Sequence, residues 1–172
     1  EEKGTLVVNR PHGLRAANEK LYALHFPEVI PNTVVTSQAE RIKEFMAENG
    51  GLGVLKPLHG HAGAGIFVAS LEDRNLNAMI EVSTNHGRER VMVQAYLPEA
   101  RQGDKRIIMV KGEAIGAILR VPSEEEHRGN IHVGGRVEKT SLSKKEQEIC
   151  ELVGPRLVRD GLYFVGLDVI GE

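Results

Sequence analysis

Hydrophobic positions recur along the chain at helical spacing in several places. This spacing predicts four helices, over residues 14–26, 39–49, 75–87 and 143–160. In the first of them, Leu14, Ala17, Leu21 and Leu24 fall on one face. The last begins with the polar spacing of a capping box, in which a serine is followed three residues later by a glutamate.

Short apolar runs rich in β-branched residues lie between these helices and predict strands. They are GTLVVN, TVVT, GVLKPL, IFVAS, VMVQAYL, RIIMV, AIGAILRVP and YFVGLDVIG. Two pairs are joined by the short turns HGHAGAG and KGE, which indicates antiparallel hairpins. The polar stretch SEEEHRGNIHVGGRVEK has no sustained period and predicts a long loop. The chain is therefore expected to have an α+β fold with mainly antiparallel sheets.

Composition and charge limit the possible partners. The 172 residues carry 22 Lys and Arg against 24 Asp and Glu, so a formal charge of -2 gives no reason to expect nucleic acid or an anionic membrane as a partner. The single cysteine, Cys150, lies in a predicted helix and is expected to be a buried small hydrophobe. With neither a leader pattern nor a long apolar run, a cytoplasmic protein is expected.

One lysine stands beside a glycine-rich turn. Lys56 lies in an apolar strand directly before glycines 60, 63 and 65, where a cation and closely approaching backbone N–H groups can meet phosphate oxygens. The known glycine fingerprints of P-loop and dinucleotide-binding proteins do not occur. The alternative is an ordinary hairpin whose lysine is solvated.

Charged residues also interrupt the later strands. Asp104, Lys105 and Arg106 precede an apolar strand, and Arg120 lies on the strand paired with it across the KGE turn. Two arginines on adjacent strands can converge on one anion, although each alone is more often a surface or ion-paired residue. Asp168 interrupts the run VGLDVI and needs either a metal or a cationic partner.

Several other chemistries are unsupported. The seven histidines match neither H-E-x-x-H nor any Cys-His zinc spacing, and no G-x-S-x-G nucleophile motif occurs. Hydrolysis by a catalytic triad and a zinc site are therefore not expected.

An ordered set of motifs resembles prokaryotic glutathione synthetase of the ATP-grasp superfamily. The matching blocks are LRAANEKL, VLKPLHGHAGAGIF, VQAYLP, GDKRIIMVKGE, RGNIHVGGR and GLYFVGLDVIG. The resemblance implies one ATP-grasp domain with two antiparallel lobes and the nucleotide between them. Its parts would be a lead-in strand and helix (1–33), a glycine-loop lobe (34–95) and an incomplete catalytic lobe (96–172).

The resemblance also implies roles for individual residues. Lys20 and Lys56 would contact the nucleotide phosphates and the adenine edge, and Asp104 the ribose hydroxyls. The loop over the phosphates would comprise His59, Gly60, His61, Gly63 and Gly65. The adenine hinge would comprise Gln94, Ala95, Tyr96 and Leu97. Catalysis would rest on Arg106 and Arg120, which hold the phosphoryl group, and on Arg128 and Asn130 in a shielding loop. Asp168 would be a ligand of Mg²⁺, or of Mn²⁺ in its place.

The implied reaction joins γ-glutamylcysteine to glycine through an acyl-phosphate and converts ATP to ADP and phosphate. The implied partners are these small molecules, and a homo-oligomer is expected for the longer protein. Because the family has a preceding domain and a following Glu-x-Asn strand, we expect this portion alone to be catalytically weak or inactive. Another ATP-grasp peptide or amino-acid ligase, a non-catalytic nucleotide-binding module and a plain structural domain are the alternatives.

Overall fold

The computed structural model describes residues 4, 5, 7–60, 63–122 and 136–171, which form an α+β fold with two four-stranded antiparallel sheets. The predicted fold class is thereby confirmed. The chain divides into two compact units: residues 19–98 form the first unit, and residues 1–18 with 99–172 form the second unit.

The regular elements alternate along the chain. In order they are α1 (Pro11–Ala16), β1 (Thr33–Thr36), α2 (Ala39–Glu48), β2 (Leu52–Pro57), β3 (Phe67–Ser70), α3 (Leu76–Ser83), β4 (Val91–Ala95), β5 (Asp104–Val110), β6 (Glu113–Val121), β7 (Arg136–Thr140), α4 (Lys144–Arg159) and β8 (Phe164–Val169). Three 3₁₀ helices cover Leu21–His25, Pro27–Val29 and Pro98–Gln102. Across these described ranges, no helix is long and apolar enough to cross a membrane.

The first unit has one sheet whose two faces differ in chemistry. Its strand order is β1-β4-β2-β3, and each neighbouring pair is antiparallel. Alternation along the strands sends Leu55, Val91 and Val93 to one face, where they pack in a core with α2 and α3. The intervening residues, Lys56 and Gln94 among them, therefore lie on the other face.

The second unit has the sheet order β7-β6-β5-β8, and α4 contacts it at β6. The capping box predicted for α4 is confirmed: Ser143 Oγ accepts from the Glu146 N–H at 3.2 Å, and Glu146 Oε2 accepts from the Ser143 N–H at 2.7 Å. Gly154 of α4 lies against Gly112, where an added Cβ would come within 2.2 Å of the Gly112 carbonyl oxygen. The helix can approach the β5–β6 turn this closely because that position has no side chain.

Three local predictions were wrong. The helix predicted over residues 14–26 is split into α1 and a 3₁₀ helix, because the chain passes from one compact unit to the other between Asn18 and Glu19. The run GTLVVN contains no strand among its described residues; Asn9 instead exchanges side-chain hydrogen bonds with the Phe164 backbone, at 2.6 and 2.8 Å. Arg136–Thr140, expected in a long loop, pairs with β6 as an edge strand.

Cys150 is buried, as its sequence context predicted. Burial raises the pKa of its thiol, and the nearby carboxylates of Glu146 and Glu151 raise it further. Since the thiolate is the reactive form, we expect an aromatic disulfide reagent to modify the native chain far more slowly than the urea-unfolded chain. Equal rates in the two states would show that the thiol is accessible in the fold.

Candidate functional site

Four charged side chains meet on one face of the sheet in the second unit. They are Asp104 and Arg106 of β5, Arg120 of β6 and Asp168 of β8. The strand register explains their proximity, because Asp104 lies opposite Arg120 and Arg106 lies opposite Asp168. Residues two apart on a strand share a face, so both pairs project from the same side.

The contacts within this four-residue cluster centre on one carboxylate oxygen. Asp168 Oδ2 accepts a hydrogen bond from Arg106 Nη2 at 2.7 Å, and Arg120 Nη2 lies 2.9 Å from the same oxygen. Arg106 Nε also contacts Asp168 Oδ1. Arg120 reaches Asp104 Oδ2 through both Nη2 and Nε, the latter at 3.1 Å. Two guanidinium groups from adjacent strands thus converge on a single anionic oxygen.

The cluster has a buried end and an exposed end. The side chains of Arg120 and Asp104 are 10% and 15% exposed, whereas those of Arg106 and Asp168 are 36% and 43% exposed. Arg106 reaches Asp168 by lying across Gly166, where a Cβ would sit only 2.9 Å from Arg106 Cδ. A soluble anion could therefore reach Arg106 and Asp168 at the exposed end. The buried pair of Arg120 and Asp104 holds the rest of the cluster in place.

Burial changes the protonation equilibria of the inner pair. It raises the pKa of Asp104 and outweighs the hydrogen bond from Arg120, which lowers it. For Arg120, burial is the largest single effect and lowers the pKa. The hydrogen bond to Asp104 and the charges of both aspartates together reverse this, so that the pKa of Arg120 is raised overall. Arg120 therefore stays cationic at any physiological pH.

The raised pKa of Asp104 predicts a pH dependence of stability. Because the folded-state pKa exceeds the ordinary value of 3.8, this carboxyl favours folding most below 3.8, and the contribution is lost as pH rises through the raised value. We expect the Tm of the unmodified chain minus the Tm of Asp104→Asn to become smaller as pH rises from about 4 to about 7. A difference that is constant or increases over this range would contradict the assignment.

A buried ion pair supports β5 from the opposite side of the sheet. Lys105, between Asp104 and Arg106, donates to Glu146 Oε2 at 2.7 Å and to the Ser141 carbonyl oxygen at 2.9 Å. Glu146 is 3% exposed and is also the capping residue of α4. One carboxylate therefore joins the start of α4 to the strand that carries two members of the four-residue cluster.

In the first unit, Lys56 is held by a buried amide. Its Nζ donates to Gln94 Oε1 at 2.5 Å, and Gln94 Nε2 donates to Thr33 Oγ1 at 3.0 Å. Gln94 is 7% exposed. The three residues come from β2, β4 and β1, which are adjacent in the sheet. The Gln94 side-chain oxygen thus fixes the position of the lysine ammonium.

The glycine-rich turn joins β2 and β3, and its described glycines have left-handed backbone conformations. Gly60, Gly63 and Gly65 have φ values of 121°, 77° and 71°, which side-chain-bearing residues rarely adopt. Lys20 Nζ donates to the Gly60 carbonyl oxygen at 3.3 Å. Lys20 Nζ also lies 3.6 Å from a carboxylate oxygen of its neighbour Glu19. One of the two predicted lysines of the first unit therefore contacts the glycine-rich turn itself.

The remaining predicted residues are less informative. His59 is exposed, and Ala95, Tyr96 and Leu97 are half-buried at the end of β4, where the Ala95 N–H donates to the Asn32 carbonyl oxygen at 2.9 Å. His61, Arg128 and Asn130 lie outside the described residues.

Among the described residues of the second unit, Asp168 is a suitable ligand for a divalent cation. Asp168 offers a half-exposed carboxylate, and Mg²⁺ is usually held by one or two carboxylates together with substrate phosphates. No group of three His, Cys, Asp or Glu side chains able to hold a metal is found where the structure is described. Asp168 therefore fits as one ligand of a cation that arrives with a phosphate compound.

Two features of the site were not predicted from the sequence. Thr33 had no assigned part, and Lys105 was noted only for its position beside Arg106. Both depend on pairing between distant segments, which no local pattern contains. The sequence contains only indirect indications of these contacts: Thr33 begins a predicted strand, and Glu146 is the glutamate of the predicted capping box.

The lysine beside a glycine hairpin and the two arginines on adjacent strands of an α+β fold agree with the resemblance to ATP-grasp proteins. Solved structures confirm the ATP-grasp fold. The ATP-grasp ligase PsnB, complexed with a phosphomimetic variant of its minimal precursor, Mg and ADP, has a TM-score of 0.71 at 24% identity over 99% of this chain and 50% of its own. D-alanyl-alanine synthetase A from Vibrio cholerae has a TM-score of 0.67 at 13% identity, covering 95% and 54%.

The family itself follows from sequence similarity. Residues 19–172 match the model of the prokaryotic glutathione synthetase ATP-grasp domain, and the chain belongs to this family. A relative from Gloeobacter violaceus, described as glutathione synthetase, is 58% identical over 167 residues, which are 97% of this chain and 51% of that protein. The chain thus spans about half the length of the relatives it matches. The resemblance inferred from the motifs is confirmed.

Proposed function

We propose that this chain is the ATP-binding portion of an ATP-dependent carboxylate–amine ligase of the glutathione synthetase type. The proposed overall reaction joins γ-glutamylcysteine and glycine and converts ATP to ADP and phosphate. Family membership and 58% identity to a described glutathione synthetase support this choice over ligases such as PsnB and D-alanyl-alanine synthetase A, which are 24% and 13% identical to this chain.

The observation that carries the proposal is the convergence of Arg106 and Arg120 on Asp168 Oδ2. The Nη2 atoms of both arginines already contact one anionic oxygen, and a phosphoryl or acyl-phosphate oxygen would present the same charge and acceptor geometry. Charge that develops on such an oxygen during transfer would be stabilised without rearrangement of the strands, since β5 and β6 fix both arginines.

The first unit would bind the nucleotide. Lys56 and Lys20 would contact the phosphates and the adenine edge, and the turn containing His59, Gly60, Gly63 and Gly65 would cover the phosphates. The segment from Gln94 through Ala95 and Tyr96 to Leu97 would form the adenine hinge. Supporting these assignments, Lys56 donates to Gln94 of the hinge segment, and Lys20 donates to the Gly60 carbonyl oxygen in the glycine turn.

The second unit would bind the ribose and the reacting groups. Asp104 would accept hydrogen bonds from the ribose hydroxyls, and Asp168 would hold Mg²⁺, or Mn²⁺, which supplies positive charge to the phosphates when it is bound. By resemblance alone, Arg128 and Asn130 are assigned to the loop that shields the acyl-phosphate, and His61 to the glycine turn over the phosphates.

Two chemical steps follow from this arrangement. In the first, a carboxylate oxygen of γ-glutamylcysteine attacks the terminal phosphorus of ATP, the bond to the bridging oxygen breaks and ADP leaves. In the second, the glycine nitrogen attacks the acyl carbon, the carbon–oxygen bond breaks, phosphate leaves and the nitrogen loses a proton. Arg106 and Arg120 would hold the transferred phosphoryl group in both steps, and excluding water would protect the acyl-phosphate.

A chimeric enzyme tests this function, because the chain spans about half the length of its relatives. Residues 1–172 would replace the matching half of the Gloeobacter violaceus relative. We expect phosphate release that requires ATP, γ-glutamylcysteine and glycine together, with glutathione formed in equal amount. A folded chimera that binds ATP but makes another product would identify a different ligase. Release of phosphate from ATP in the absence of γ-glutamylcysteine and glycine would contradict the proposal that ATP cleavage is coupled to their joining.

Two further expectations accompany this function. Use of ATP as the phosphoryl donor supports the cytoplasm as the compartment. Assembly of the longer protein into a homo-oligomer stays a prediction from the family resemblance.

A further inference from the structure

We propose that Thr33 is a positioning residue for the nucleotide-binding lysine Lys56 and acts through the side-chain amide of Gln94. This inference rests on the proposed function, because it concerns how the same site recognises ATP. It assigns a part in nucleotide binding to a hydroxyl that is two hydrogen bonds away from the lysine.

The three side chains form a row across three neighbouring strands. Thr33 lies directly opposite Gln94 in the β1–β4 pair. On the other side of β4, Gln94 lies opposite Val54, and Lys56 is two residues further along β2. Residues two apart share a face, so all three side chains project from the face opposite the α2 and α3 core.

The direction of each hydrogen bond is set from the Thr33 end. The Thr33 hydroxyl donates its only proton to the Pro31 carbonyl oxygen at 2.7 Å, so towards Gln94 it can act only as an acceptor. Gln94 must therefore present its NH₂ group to Thr33, which turns its carbonyl oxygen towards Lys56. The reversed amide would place NH₂ against the lysine ammonium and leave two oxygens facing each other without a proton.

Burial makes this orientation energetically significant. Gln94 is 7% exposed, so water cannot readily replace a lost partner. With its carbonyl oxygen fixed, Gln94 holds Lys56 Nζ at a defined point. A lysine held in this way is positioned in advance to contact the phosphates or the adenine edge of a nucleotide.

The test removes only the hydroxyl. Thr33→Val keeps the branched shape suited to a strand, but the Gln94 NH₂ group loses its acceptor. We expect ATP affinity, measured on the full chain by calorimetry, to fall about three- to tenfold. Thr33→Ser, which restores the hydroxyl, should bind ATP as the unmodified chain does. The Gln94 side-chain NH₂ signals in NMR spectra should shift in the valine variant and return in the serine variant.

Thr36→Val supplies the matched control. Thr36 lies at the other end of β1, and its hydroxyl accepts from the Gln38 N–H at 3.1 Å, away from the row of three side chains. ATP affinity should not change in this variant, and thermal unfolding would check that both valine variants fold.

The possible results separate this inference from the proposed function. If the unmodified chain binds ATP and Thr33→Val binds it equally well, the inference is wrong and the proposed function stands. Equal losses in Thr33→Val and Thr36→Val would also overturn the inference, since they would reflect the strand rather than the hydroxyl. Absence of ATP binding by the folded, unmodified chain would overturn both.

Discussion

Arg106→Ala is expected to lower kcat of the chimeric ligase by about 100-fold. The reason is that Arg106 supplies one of the two guanidinium groups that meet at Asp168 Oδ2, at the solvent-accessible end of the cluster. A donor directed at developing charge is worth more in the transition state than in the substrate complex. The KM for ATP should therefore change much less than kcat. Steady-state phosphate release would measure both quantities.

The control for this prediction is Arg41→Ala on α2. Arg41 is similarly exposed, at 40% against 36%, and forms ion pairs with Glu44 and Glu48. Exposed pairs of this kind contribute little to stability, so both variants should fold. A fall in kcat of the same size in the two variants would mean that Arg106 has no special place in the reaction.

Lys56→Met is expected to weaken ATP binding by the chain about 10- to 100-fold, the range for loss of a hydrogen bond to a charged group. Methionine keeps the apolar stem of the side chain and removes the ammonium that Gln94 holds. Equilibrium dialysis with labelled ATP would measure the effect. Because the lost attraction is ionic, the difference between the two proteins should narrow as salt is raised.

Lys43→Met provides the comparison for Lys56. Lys43 is a half-exposed lysine on α2, whose core residues pack against the face of the sheet opposite Lys56. Removal of this charge should leave ATP affinity within about twofold of the unmodified chain. If both variants bound ATP as the unmodified chain does, the nucleotide would not lie where the glycine hairpin and Lys56 suggest.

The sequence predicted β5, β6 and β8 of the second unit but missed β7, and it did not predict the register of the strands. In a regular two-residue hairpin with Val110 opposite Glu113, Leu119 would lie opposite Asp104. An irregularity between Ile108 and Met109 shifts the pairing by one residue and places Arg120 there instead. Such a shift re-aims side chains near functional sites. No pattern in GDKRIIMVKGE indicates where it occurs.

Long-range pairings account for most of what the sequence could not predict. Arg106 and Asp168 are 62 residues apart, and Thr33 and Gln94 are 61 residues apart, yet each pair lies opposite in a sheet. Hydrophobic periodicity predicts which segments are strands, but it does not order them within a sheet. The ordered motifs indicated the family because they combine information from the whole chain.

Calorimetric titration of the 172-residue chain with ATP and Mg²⁺ tests the central claim, nucleotide binding, most directly. The proposed site predicts saturable heat with one nucleotide bound per chain. Weaker binding after Lys56→Met would place the nucleotide at the glycine hairpin. A folded chain that gives no saturable heat at any accessible ATP concentration would contradict the assignment of this chain as an ATP-binding portion.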